Sequence, residues 1–117
     1  MEYLTNPFMA YAEIPPFTNP DLTGYGDAKT TFWADFRVCG GDERAIRDTY
    51  KRALPLAKSD KEYGTELAMT LNWLCWAYAE SHRETAKVFE ELWRDLDSYI
   101  IKNWKGDDLS YYLKTTD

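Results

Sequence analysis

Residues 65–105 contain neither glycine nor proline, and this constrains the fold more than any other feature of the sequence. Glycine weakens a helix through its backbone freedom, and proline breaks one because it lacks an N–H donor. Large apolar side chains recur through the stretch at the spacing of one helical face. They are Leu67, Leu71, Leu74, Tyr78, Phe89, Leu92 and Leu96. The stretch therefore predicts long helices and an all-α fold.

Two chain paths fit this stretch. The polar run at residues 80–84 contains Ser81-x-x-Glu84, the pattern of a helix capping box. A break at this point would give an antiparallel hairpin of two helices. The alternative is one rod of about 60 Å at about 1.5 Å per residue, because the apolar period stays in phase across the polar run. We favour the hairpin, since helices of that length are rare in small domains.

Glycine, proline and capping residues mark the other predicted boundaries. Gly40-Gly41 ends a first helix, Asp42 caps a second, and Pro55 closes that second helix. Ser59-x-x-Glu62 is another capping box, which opens the third helix. The predicted helices are about 31–39, 43–54, 59–79 and 81–106, followed by a short apolar turn or helix at 109–113.

Residues 1–26 hold four of the five prolines, so they cannot form a helix. They also carry seven large apolar side chains, which are Tyr3, Leu4, Phe8, Met9, Tyr11, Ile14 and Phe17. We therefore expect an extended arm that packs on a second apolar stripe of the third helix, Met69, Trp73 and Trp76. The sequence predicts a single domain of residues 1–117: a small irregular helical bundle at 27–117, with the arm packed on it.

Net charge and cysteine usage narrow the functional classes. The chain carries 14 lysines and arginines against 20 aspartates and glutamates, a formal charge of −6. This argues against nucleic acid and membrane surfaces as general partners, because both require a basic field. The most apolar stretch, residues 67–79, is too short to cross a bilayer, and the N-terminus has no signal-peptide pattern. Two cysteines in a chain with ample apolar residues favour a reducing cytoplasm.

The residues that could carry chemistry have simpler structural explanations. His82 is the only histidine, and we expect an exposed position in the first helical turn rather than a catalytic role. Cys39 and Cys75 lack the paired spacing of metal ligands, and Cys75 lies in the most apolar helix. The acids of the fourth helix interleave with bases, as on a solvated helix face. We therefore predict no catalytic, cofactor-binding or metal-binding residue.

A basic island interrupts the acidic chain. Arg44, Arg47 and Lys51 fall at positions i, i+3 and i+7 of the second helix, with Arg52 beside them. We favour pairing of these side chains with acids of the same chain, because surface ion pairs are common. The alternative is an interaction face for an acidic partner or a nucleic-acid backbone.

Several short motifs carry a resemblance. They are Phe32-Trp33-x-Asp35-Phe36, Asp48-Thr49-Tyr50-x-Arg52-Ala53, Thr65-Glu66-Leu67, Leu71-Asn72-Trp73 and the ending from Lys105 to Asp117. Across residues 30–117 the chain resembles the small proteins of unassigned activity encoded on conjugative elements and prophages of gut Firmicutes. The resemblance implies a non-enzymatic accessory protein that binds another protein. The alternatives are a nucleic-acid-associated factor using the basic helix and an acidic DNA mimic that inhibits a host defence enzyme.

Overall fold

The computed structural model describes Phe32 and residues 34–116, and within them the chain is helical with no strand. Residues 34–37 are helical, and four longer helices follow. These are α1 (Glu43–Ser59), α2 (Lys61–Tyr78), α3 (Arg83–Asn103) and α4 (Gly106–Thr116). The all-α prediction is confirmed, whereas the predicted arm at 1–26 lies outside the described residues.

Helices α2 and α3 form an antiparallel hairpin, so the single-rod alternative is wrong. The chain turns at residues 79–82. Near this turn the ring of Tyr78 stacks on Phe89, with 5.5 Å between centroids. At the other end, a side-chain carbon added to Gly64 would lie 2.5 Å from the indole of Trp104. The start of α2 therefore lies beside the end of α3, and these two helices share the most extensive packing in the described fold.

Helix α2 is the central helix, as predicted, because it packs against each of the other three. Its inner stripe, Leu67, Leu71, Leu74 and Tyr78, is buried. Its second stripe has a different environment. Trp73 is 44% exposed and Trp76 is 76% exposed. Although α2 carries apolar residues on nearly all sides, it is not buried on all sides within the described bundle.

Helix α1 does not end at Pro55 as predicted but continues to Ser59. Proline removes its own N–H, but the last turn is held by other contacts. Ala57 is fully buried in the core. The hydroxyl of Ser59 donates to the carbonyl of Leu56 at 2.9 Å. The buried side chain and this hydrogen bond account for a helix that passes through the proline.

Both predicted capping boxes are wrong by one residue. Asp60, not Ser59, caps α2, and its carboxylate accepts from the backbone N–H of Glu62 at 2.7 Å. His82, not Ser81, occupies the N-cap of α3, with no side-chain capping bond. An aspartate next to a serine can serve the same capping role, and its charge also suits the positive end of the helix dipole.

The C-terminal segment is a full helix that packs back on the hairpin. Helix α3 ends at Asn103 rather than at Gly106, and Gly106 begins α4 with a φ of +58°. Tyr112 is the buried residue of α4, and its ring meets Trp104 edge-on at 6.1 Å. The hydroxyl of Tyr112 donates to the carboxylate of Asp97 on α3. These contacts join α4 to α3 and to Trp104, which directly follows α3, and α4 also packs against α2.

Candidate functional site

The outward side of α2 carries an aromatic face formed by Met69, Trp73 and Trp76. Their spacing of four and then three residues places the three side chains along one side of the helix. Met69 is half-buried, and the two indoles are exposed to the extents given above. Tryptophan has the largest apolar surface of any side chain, and neighbouring exposed aromatic residues mark interaction surfaces more often than they occur by chance.

The surroundings of the aromatic face are acidic. From Glu62 to His82 the sequence has three carboxylates, Glu62, Glu66 and Glu80, and neither lysine nor arginine. Glu66 precedes Met69 by three residues, and the exposed Glu80 follows Trp76 by four. The exposed Glu80 therefore places a negative charge at one end of the aromatic face, which favours a partner with a basic group beside an apolar centre.

Within the predicted basic island, Arg47 pairs with acids of the same chain. Arg47 donates to both carboxylate oxygens of Glu91 on α3 at 2.9 Å and to Glu43 at 2.9 Å. These hydrogen bonds lower the pKa of Glu91 and raise the pKa of Arg47. Arg47 thus joins α1 to α3, as the internal-pairing interpretation expects.

The other three basic residues of the island lie at the surface of α1. Arg52 donates to the hydroxyl of Thr49 at 3.4 Å. Arg44 and Lys51 are exposed, and neither forms an ion pair with an acid in the described part of the chain. The structure therefore leaves two exposed cations here, and their use by a partner stays a prediction.

The two thiols are half-buried and packed against the core. The Sγ atom of Cys39 lies 3.4 Å from the hydroxyl of Thr49. Burial raises the pKa of Cys39, with the Thr49 hydrogen bond opposing the shift. Burial also raises the pKa of Cys75. Since the thiolate is the nucleophile, both sites disfavour the reactive form, in keeping with structural thiols.

His82 is half-buried rather than exposed, which corrects the predicted position. Its Nδ1 lies 2.8 Å from the hydroxyl of Ser81, and its ring meets Tyr78 edge-on at 6.0 Å. Glu84 lies 3.7 Å from Lys87 instead of joining the histidine. Within residues 34–116 no group of three or more His, Cys, Asp and Glu side chains could hold a metal ion.

Two acids of α3 serve tyrosines from distant parts of the chain, which sequence reasoning missed. The hydroxyl of Tyr50 on α1 donates to Asp95 at 2.7 Å, and Tyr112 on α4 donates to Asp97. Burial, then the carboxylate bond, raises the pKa of both tyrosines. Glu90 and Arg94 form a surface ion pair at 2.9 Å, in keeping with the predicted mixture of acids and bases on this helix. No local spacing could reveal the tyrosine contacts, because they depend on how the helices pack.

The fold and site define a class rather than a family: a small all-α protein with an aromatic face on its central helix. No protein-family model, curated protein or solved structure matches the chain. None of the described helices combines the length and the apolar character that crossing a membrane requires.

Proposed function

We propose that this protein is a non-enzymatic accessory protein of a mobile element, and that it binds another protein in the cytoplasm through the aromatic face of α2. The 76% exposure of Trp76 is the observation that carries the proposal. Tryptophan is the residue type most enriched among those that dominate binding energy at protein interfaces. Here Trp76 projects from a helix that packs against three other helices.

A rigid helix is a suitable platform for such a face. Leu71 and Leu74 alternate with Trp73 and Trp76 along α2, and both leucines are fully buried. The buried leucines hold the backbone that presents the indoles, so little conformational freedom is lost when a partner binds. The face therefore meets the conditions for affinity without rearrangement of the bundle.

The charge pattern indicates the chemistry of the partner. A complementary surface would offer an apolar group to the indoles, with lysine or arginine placed to meet Glu80. A partner cation can also lie over an exposed indole ring, an interaction worth about 0.5–2 kcal/mol. We therefore expect a protein partner with an apolar, basic surface, and association that slows as salt concentration rises.

The biological setting follows from other features. The resemblance to proteins of conjugative elements and prophages supports the assignment to mobile DNA. Cys39 and Cys75 are both free thiols. Free, half-buried cysteines are common in proteins that function in a reducing compartment, which supports the cytoplasm.

The test uses a matched pair of exposed apolar residues. Tagged wild-type protein, Trp76→Ser and the control Ile101→Ser would capture proteins from the organism that encodes the chain. Ile101 is 48% exposed and belongs to α3 rather than to the helix that carries the aromatic face. The captured protein would then be purified and titrated against all three. We expect wild type and Ile101→Ser to bind alike, and Trp76→Ser to bind at least about 30-fold more weakly, the effect of a dominant interface residue.

Equal binding by Trp76→Ser and wild type would overturn the proposed face. Sedimentation of the protein alone at rising concentration tests whether the chain forms a dimer. A wild-type dimer that Trp76→Ser abolishes would show that the face binds a second copy of this chain, and would replace the proposed function.

A further inference from the structure

Helix α4 buries fewer side chains than the three helices before it. Tyr112 is its one buried residue, whereas α1, α2 and α3 each bury at least five. Leu109 and Tyr111 are half-buried, and the other side chains of α4 are exposed. An element with few buried apolar side chains opens locally at a lower free energy than the core. We therefore expect α4 to be the least firmly attached of these helices.

The contacts that hold α4 converge on Tyr112. Its hydroxyl donates to the carboxylate of Asp97 on α3, and its ring meets Trp104 edge-on, with 6.1 Å between centroids. Next to it, the ammonium group of Lys61 lies 5.4 Å from the centroid of the Tyr111 ring. Such a contact between a cation and an aromatic ring is weak when it is partly exposed. The loss of Tyr112 from its site would therefore release most of the attachment.

The connection between α3 and α4 allows the helix to change direction. Trp104 has an extended backbone, with φ −83° and ψ 149°, and Lys105 is not helical. Gly106 has a φ of +58°, and a Cβ added there would meet no atom within 4 Å. Glycine moves between the left-handed and right-handed regions without the steric penalty of other residues. Gly106 therefore has the properties of a hinge.

We propose that α4 is a latch, which opens as one unit about Gly106 while α1, α2 and α3 stay folded. The helix has 11 residues, fewer than the roughly 12–15 that an isolated helix needs for marginal stability, so the released segment unfolds. Opening uncovers Tyr112 and removes its ring from Trp104, whose indole keeps its place against Gly64 of α2. Tyr112 is thus accessible to a ligand only in the open form. The latch does not rest on the proposed function.

Amide hydrogen exchange of the full-length protein, followed by NMR, tests the latch. After correction for intrinsic rates, we expect the hydrogen-bonded amides of α4 to exchange at least about tenfold faster than those of the buried Leu71 and Leu96. They should still exchange more slowly than in an unfolded chain. Protection equal to that of the core would mean that α4 opens only when the whole bundle unfolds. Exchange at the unfolded-chain rate would mean that α4 has no closed state, and either result would overturn the proposal.

A core variant separates opening of α4 from global unfolding. Ile46 is 1% exposed and belongs to α1, whose described packing is mainly with α2 and α3. Ile46→Val lowers the stability of the bundle by leaving a small cavity. Exchange at Leu71 and Leu96 should therefore rise several-fold, while exchange in α4 stays at the wild-type rate. Acceleration of α4 by the same factor as the core would overturn independent opening.

A pair of tyrosine variants tests the anchor. Tyr112→Phe removes the hydrogen bond to Asp97 and should accelerate exchange in α4 at least about fivefold, whereas the matched Tyr111→Phe leaves it at the wild-type rate. Unchanged exchange in Tyr112→Phe would overturn the assigned anchor. Protection of α4 that grows with protein concentration would overturn the intramolecular latch, because α4 would then pack on a second copy. Since the aromatic face is unaltered and no partner is present, these results do not depend on the proposed function.

Discussion

Both sides of α2 carry a stripe of large apolar side chains, but the two stripes differ in solvent exposure. On the inner side, Leu71 and Leu74 are fully buried against the neighbouring helices. On the outer side, Trp73 and Trp76 remain 44% and 76% exposed. The difference shows that one helix can supply both the core of a small bundle and an apolar surface. Stability and recognition can then be altered separately by substitutions only a few residues apart.

The largest expected effect is the difference in stability loss between a substitution on the inner side of α2 and one on its outer side. Leu71→Ala should lower the free energy of unfolding by about 2–5 kcal/mol, because it leaves a cavity in a packed core. Trp76→Ala should lower it by less than about 1 kcal/mol, even though it removes more atoms, since exposed substitutions have small effects. Urea titrations of both variants check the difference. Equal losses would mean that Trp76 belongs to the core.

Gly64 tests how closely the inner side is packed. A Cβ at this position would lie 2.5 Å from the indole of Trp104 and 2.6 Å from the carbonyl oxygen of Ala57. Gly64→Ala should therefore destabilise the protein by about 1–3 kcal/mol, despite the better helix propensity of alanine. Thermal unfolding measures the loss. In a Trp104→Leu background the penalty should shrink, and a stabilised Gly64→Ala protein would contradict the close contact.

The attachment of α4 to the hairpin depends on one tyrosine. Tyr112→Phe removes a half-buried hydrogen bond to Asp97 and should cost about 1–2 kcal/mol. The neighbouring Tyr111→Phe is the matched control, because no hydrogen bond of its hydroxyl occurs among the described residues. Denaturant titration should show the control at the wild-type value. A similar loss in both variants would show that the loss does not come from the hydrogen bond between Tyr112 and Asp97.

The smallest expected effect concerns pH. Arg47 lowers the pKa of Glu91 below its ordinary value of 4.5 in the folded protein. The pair therefore contributes its full stabilisation above that value, and the contribution is lost as pH falls through the lowered pKa. Glu91→Gln should flatten this acid-side decline slightly. The free energy of unfolding of wild type and Glu91→Gln is compared by denaturant titration from about pH 3 to about pH 6, which spans the ordinary glutamate pKa. Identical pH profiles would contradict the assigned pair.

The helices were predictable because their signals are local. The absence of glycine and proline from 65–105 indicated long helices, and the polar run at 80–84 favoured the hairpin, which the structure confirms. The prediction that α1 ends at Pro55 was wrong, because buried contacts in the last turn of α1 outweigh the hydrogen bond that proline cannot donate. The capping box at 59–62 misled because Asp60 lies next to Ser59 and its carboxylate accepts from the backbone N–H groups of Glu62 and Tyr63.

The candidate site was harder to predict, because its features depend on packing between distant elements. The second apolar stripe was recognised, but periodicity cannot distinguish a stripe that faces a neighbour from one that faces outward. The basic island was predicted as a unit, yet among the described residues only Arg47 of the island pairs with an acid of another helix. Glu91 lies 44 positions from Arg47, and no spacing rule connects them.

The most direct test of the two-sided helix measures stability and partner binding on the same pair of variants. Leu74→Met alters the inner side mildly, with an expected loss of up to about 1.5 kcal/mol, and Trp76→Ser alters the outer side. The account predicts opposite patterns: Leu74→Met loses stability and binds the captured protein like wild type, whereas Trp76→Ser keeps its stability and loses binding. A Trp76→Ser protein that binds like wild type, or that unfolds before Leu74→Met in urea, would contradict it.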